Sequence, residues 1–202
     1  MAWEALAKYV PEGSMEPLAE LLEAKSVLIK ITRGRRSKLG DYRPLREGRY
    51  LHQITLNRDM NLYQFLVTFV HEIAHLYTFE KYRGSVAPHG DEWKNIYVGQ
   101  LAPFLGKEYF PKDVEKALHK HIRKPGASSC RDTALFRVLQ SYDEPEEGFV
   151  TIEALKEGSP FIDGAGRKLI RGPRRQKYYT CFDERGKPVA YFFGLAKVRS
   201  IE

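Results

Sequence analysis

The chain has 202 residues, 43% of them hydrophobic and 29% charged, which fits one globular domain or a domain with a smaller appendage and excludes a disordered polymer. The longest apolar stretch, Phe65 to His75, is interrupted by His71 and Glu72 well short of a bilayer span, and Met1-Ala2-Trp3-Glu4 lacks the basic-then-apolar order of a cleaved signal. Two distant cysteines, Cys130 and Cys181, are too few for a disulfide framework, so a cytoplasmic protein is expected, and a formal net charge of +7 favours polyanionic partners, nucleic acid first.

Ala2 to Tyr9 and Met15 to Ala24 read as short helices separated by Pro11-Glu12-Gly13. Val27 to Ile31 reads as a strand, followed by a basic stretch containing Arg33, Arg35, Arg36 and Lys38. Tyr50 to Leu56 reads as a second strand, with turn residues around Gly48 and Asn57. The strongest element opens at Asn61, a good N-cap, with Gln64 completing a capping-box pattern. From Leu62 to Phe79 there is no Gly or Pro, and at 100° per residue Leu62, Leu66, Phe69, Ile73 and Leu76 share one stripe. His71, Glu72 and His75 fall on the opposite side.

Tyr82 to Pro88 reads as a loop and Gly90-Asp91-Glu92 as the start of a helix, where acidic residues suit the positive end of the helix dipole. Trp93, Ile96, Tyr97 and Leu101 form its expected buried stripe. Pro111 opens a last helix ending near Arg123. Beyond Pro125-Gly126 the texture changes to short strands at Phe149–Leu155, Lys168–Arg171, Lys177–Phe182 and Val189–Phe193, with turns at Asp163-Gly164-Ala165-Gly166 and Asp183-Glu184-Arg185-Gly186. The expected organisation is a domain at residues 1–125 and a β-rich appendage at 126–202.

His71-Glu72-Ile73-Ala74-His75 is an H-E-x-x-H motif on the best-supported helix. Histidines at i and i+4 lie one turn apart on one face, so both imidazoles reach one metal ion at about 2.0–2.1 Å. A carboxylate beside the pair suits a general base acting on a water whose pKa the metal lowers toward ~7. With 6 His and 26 acidic residues in the chain, chance supplies such a motif only about 0.02 times. His89, opening the run His89-Gly90-Asp91-Glu92-Trp93, is the expected third ligand, with Glu92 its rival. Three protein ligands leave a tetrahedral zinc one open position, which is the arrangement of a catalytic site. Thr78 and Lys81 stand where a metzincin needs Gly and His.

His71-Glu72-Ile73-Ala74-His75 followed by His89-Gly90-Asp91-Glu92-Trp93-Lys94, with Ile54-Thr55-Leu56-Asn57 upstream, resembles the SprT-like metallopeptidase family, which includes the proteins called Spartan. The resemblance covers about residues 15 to 105. It implies an α+β fold, a minimal zincin-like metallopeptidase domain, with one catalytic Zn2+ on His71, His75 and His89 and Glu72 as general base. It also implies protein substrates, among them proteins associated with or crosslinked to DNA. The C-terminus departs from the family pattern: Tyr178 to Phe182 resembles only a remnant strand of the paired-cysteine zinc ribbon that ends many members, so the appendage reads as a degenerate ribbon without a second zinc.

Arg171, Arg174, Arg175 and Lys177 adjoin Tyr178 and Tyr179. Cations there could neutralise phosphates while an outward tyrosine stacks on an unpaired base; Tyr179 is the expected stacking residue. His119 and His121, two apart on a helix, are expected at the surface, and His52 is expected to pack in its strand. The leading expectation is a zinc-dependent endopeptidase, with a strand near Tyr50 to Leu56 pairing with extended substrate. The rival is a nucleic-acid-binding or transcription-associated module with little peptidase activity.

Overall fold

A computed structural model describes residues 4–33, 38–123 and 132–201. Arg35, Arg36 and Cys130 lie outside the described residues. The chain divides into two compact units, Met1–Asp143 and Glu144–Glu202. That division falls later than the expected boundary at 125/126. Among the described residues no helix is long and apolar enough to cross a membrane.

The first unit mixes helices with a three-stranded sheet. Its helices are α1 (Glu4–Ala7), α2 (Met15–Leu22), α3 (Leu62–Tyr82), α4 (Asp91–Leu101), α5 (Lys112–Arg123) and α6 (Thr133–Gln140). Its strands are β1 (Val27–Thr32), β2 (Gly40–Pro44) and β3 (His52–Asn57), in the order β1-β3-β2. β3 pairs in parallel with β1 and antiparallel with β2. All six of its residues are buried. His52, Ile54 and Leu56 share one face, as a period of two requires. On the other, Arg43 donates to Gln53, Gln53 donates to Thr55, and Asn57 Nδ2 donates to the carbonyl of Lys38.

This order corrects one expectation. β3 has a partner on both sides, so it has no free edge to offer a substrate. Among the described residues the strand at the sheet edge next to α3 is β2, which the sequence did not show, because Gly-Asp-Tyr-Arg-Pro has no apolar alternation.

α3 forms because Asn61 caps it, its side chain accepting from Gln64 N at 2.9 Å, and because 21 residues follow without Gly or Pro. It ends at Arg83 in the left-handed region (φ 52°), whose N–H donates to the carbonyl of Phe79. Leu66, Phe69, Ile73 and Leu76 are fully buried, but Leu62 is 41% exposed. The rest of the helix is covered too: Phe65, Val70, His71, Glu72 and Ala74 are all buried. α3 meets β2, β3, α4, α2 and α6, so the helix is central, where the sequence pattern suggested a one-faced one.

α6 was missed from the sequence. Asp132 caps it, Oδ1 accepting from Ala134 N and Leu135 N, each at 3.1 Å. Its Leu135 and Leu139 join the same core as α3 and α5, which is why the first unit runs on to Asp143.

The second unit holds one six-stranded sheet, β4 (Phe149–Thr151), β5 (Pro160–Ile162), β6 (Lys168–Arg175), β7 (Tyr178–Phe182), β8 (Pro188–Phe193) and β9 (Lys197–Ser200), in the order β4-β9-β5-β6-β7-β8. Ile152, Phe161, Leu169, Tyr179, Cys181 and Val198 form its own core. The two expected turns share one device: Asp163 Oδ1 accepts from Ala165 N and Arg167 N, and Asp183 Oδ1 from Arg185 N and Lys187 N.

Candidate metal centre

α3 sets His71 and His75 one turn apart, and the loop before α4 brings His89 to them. The three Nε2 atoms stand 3.2 Å (His71 to His75), 3.0 Å (His75 to His89) and 3.2 Å (His71 to His89) apart. A tetrahedral zinc with bonds of about 2.0–2.1 Å holds its nitrogens roughly 3.3 Å apart, so the donor set fits such an ion. Three ring nitrogens converging on one point cannot all be satisfied by hydrogen bonds to one another, whereas a cation among them satisfies all three lone pairs. Among the described residues His71, His75 and His89 form a group able to hold a metal ion. Glu92, the rival third ligand, is exposed on α4 and not part of that group.

The backbone of His89 is left-handed, with φ 59°, a conformation that costs a non-glycine residue ~1 kcal/mol or more and concentrates at functional sites. The next residue must be small. A Cβ on Gly90 would stand 3.0 Å from the carbonyl oxygen of Ala87, to which Gly90 N donates. This tight turn ends in α4 and delivers His89.

Trp93 anchors the three rings. Its centroid lies 4.7 Å from that of His71, 5.2 Å from His75 and 4.7 Å from His89. Tyr97 stacks on it at 5.0 Å and 11° and meets His71 edge-on. Trp93 and Tyr97 are each 1% exposed, so this wall does not yield when a ring turns.

Burial pushes the His71 pKa well below 6.5, and the neighbouring His75, His89 and His121 add to the effect. Burial, then His89, lowers His75 to about 4, against a small opposing pull from Asp41. Both rings are therefore neutral at pH 7, the form that binds a metal.

Several neighbours were not visible in the sequence. Glu72 is 6% exposed, and β2 crosses it at Gly40. Tyr42, two residues on, lies nearly parallel to His75, at 6.4 Å and 9°, and its hydroxyl meets His52 Nδ1 at 3.0 Å. His52 Nε2 lies 3.4 Å from Glu80, which pairs with Lys25 at 2.6 Å. His121, expected at the surface, is 2% exposed: its Nδ1 meets Asp132 Oδ2 at 2.8 Å, and Tyr97 covers its ring edge-on. Its lysine neighbours in sequence pointed outward only because they sit on the other side of α5.

A family comparison bears on this centre. The model of the SprT-like family matches residues 16–100, which contain α3, β1 to β3, all but one residue each of α2 and α4, and all three histidines. This segment is similar to the SprT-like family. SprT-like proteins are metallopeptidase-like in general kind, and the α+β architecture of the first unit agrees with a SprT-like domain. No curated protein and no solved structure matches the chain. The match ends before α5, so this likeness extends to neither α6 nor the second unit.

The expected nucleic-acid residues separate in the second unit. Tyr179 is 5% exposed and belongs to the core, which corrects its reading as a stacking residue. The Arg171 side chain is 13% exposed, lies over the Tyr179 ring at 4.3 Å and reaches Glu157 at 3.6 Å. Arg174 and Arg175 are exposed and Lys177 partly so. The exposed tyrosine is Tyr178, on the face of β7 opposite to Tyr179. Tyr191, opposite Thr180 on β8, is 59% exposed. Arg175, Gln176, Tyr178 and Tyr191 line an open pocket of about 650 Å³.

Proposed function

We propose that the protein is a zinc-dependent peptidase in which His71, His75 and His89 hold the metal and Glu72 is the general base. The observation that carries this reading is the convergence of three Nε2 atoms within 3.2 Å of one another, with a buried carboxylate next to one of them in the chain and a strand edge alongside. A zinc ion held there would polarise the scissile carbonyl and make water more acidic. Glu72 takes the proton of the attacking water and returns it to the leaving amine. β2, lying against Glu72 at Gly40 and against His75 at Tyr42, offers an edge to an extended substrate chain, which would add as a further strand. Proteins bound or crosslinked to DNA are the substrate class we favour, on the basic balance of the chain and the cations of the second unit.

Glu72→Gln tests this. Glutamine keeps the shape and can hydrogen-bond water but accepts no proton, so turnover of an unfolded protein should fall ~10²–10⁴-fold at unchanged zinc content. Equal turnover by both proteins would refute the assignment.

A second reading, a nucleic-acid-binding module, draws on the outward Tyr178 and Tyr191 beside Arg175. Aromatic faces stack on unpaired bases while cations neutralise the backbone. The two readings assign different units of the chain and are compatible.

A further inference from the structure

β2 lies close against α3 at Gly40. A Cβ placed there would stand 2.6 Å from Glu72 Oε1, 2.8 Å from Glu72 Cγ and 2.9 Å from Thr68 Cγ2, all closer than real Cβ atoms come. Gly40 is not among the residues of positive φ, so the requirement is for space, not for left-handed backbone. The strand cannot lift to make room. Its five residues pair in continuous register with β3, from Gly40 opposite Leu56 to Pro44 opposite His52, and the Tyr42 hydroxyl ties it to His52. Glu72 cannot yield freely either, being 6% exposed with Thr68 one turn behind it.

We propose that Gly40 is a positioning residue for the reaction of this centre: its bare Cα sets how close the edge of β2 stands to the Glu72 carboxylate. The proposal rests on the reading of Glu72 as the base. A substrate strand pairing along β2 would then present its scissile carbonyl at a distance from Glu72 that this one contact determines. Moving Oε1 from 2.6 Å to an ordinary 3.4 Å contact with an added methyl group displaces the base by about 0.8 Å. Misplacement of catalytic groups by ~1 Å can cost ~10²-fold in rate.

The test is Gly40→Ala in the full chain, with zinc content, melting temperature, kcat and KM measured beside wild type, Glu72→Ala, the double variant and Gly99→Ala. Gly99 lies on α4 where an added Cβ meets nothing within 4 Å. Gly40→Ala should keep its zinc and lose kcat by about tenfold to a hundredfold, with KM changed far less. It should also lower the melting temperature in wild type and do so much less in the Glu72→Ala background, where two of the three contacts are gone. Gly99→Ala should leave kcat unchanged and should not lower the melting temperature, since alanine is the better helix former. Equal melting losses in both backgrounds, loss of zinc, or an unchanged kcat would overturn the proposal. Should Gly40→Ala fail to fold, the double variant decides: recovery of the fold supports the contact, and continued failure refutes it. If Glu72→Gln keeps full turnover, the peptidase reading falls, while the melting cycle still reports on the contact itself.

Discussion

Asp132 makes three hydrogen bonds with one side chain, and its removal has a calculable cost. Oδ1 caps α6 through two backbone N–H groups, and Oδ2 accepts from the buried Nδ1 of His121 at 2.8 Å. That bond links α5 to α6 behind Tyr97, which in turn packs against His71. Asp132→Ala loses an N-cap, ~1 kcal/mol, and leaves a buried ring nitrogen without its partner, ~1–3 kcal/mol. The sum is ~2–4 kcal/mol, or a melting temperature lower by about 5–15 °C for a unit of this size. Asp132→Asn keeps an oxygen for the cap and should cost about half as much or less. Thermal unfolding by circular dichroism at pH 7.5 measures the difference, and hydrogen exchange locates it. Faster exchange should be confined to the first unit, in α5 and α6, with β4 to β9 unaffected. An Asp132→Ala protein melting within 2 °C of wild type would refute the linkage of α6 to the first unit through this residue.

Three further outcomes are expected. His89→Ala should lower zinc retention sharply against a chelator, since a tetrahedral site loses one of three protein ligands; wild-type retention would return attention to Glu92. Metal-free protein should lose stability as pH falls from 6.5 toward 4. The unfolded chain takes up a proton on His75 at its ordinary 6.5 while the fold resists until about 4, a difference worth ~3 kcal/mol; the same pH slope in His75→Gln would exclude this residue as its source. Tyr178→Ala with Tyr191→Ala should weaken single-stranded DNA binding by ~1–3 kcal/mol per stacked base, and Arg175→Glu should flatten its salt dependence, whereas an unchanged affinity and slope would leave that face a solvated sheet surface.

Local chemistry was legible in the sequence wherever the deciding interactions are close along the chain. Asn61 and Gln64 announced the start of α3, the i, i+4 spacing put His71 and His75 on one face, and Asp163 and Asp183 announced their turns, since each rests on bonds spanning a few residues. Tyr178 and Tyr179 could be seen to face opposite ways, but not which faced out, because that choice depends on which side of β7 the core of the second unit occupies.

Tertiary structure alone decided the rest. An edge strand without apolar alternation carries no periodic signal, so β2, Gly40 and Tyr42 were invisible until β3 was seen to be paired on both sides. His121 sits among lysines in sequence, yet burial depends on Asp132 eleven positions later and on Tyr97 from another helix. The sequence by itself determined the ligand-bearing helix and the chemical types at the centre, through contacts within one turn. Only the packing of sheet, α3 and α4 decided that three imidazoles meet within 3.2 Å beside a strand edge, because that convergence is made by elements whose distance in sequence hides their contact in space.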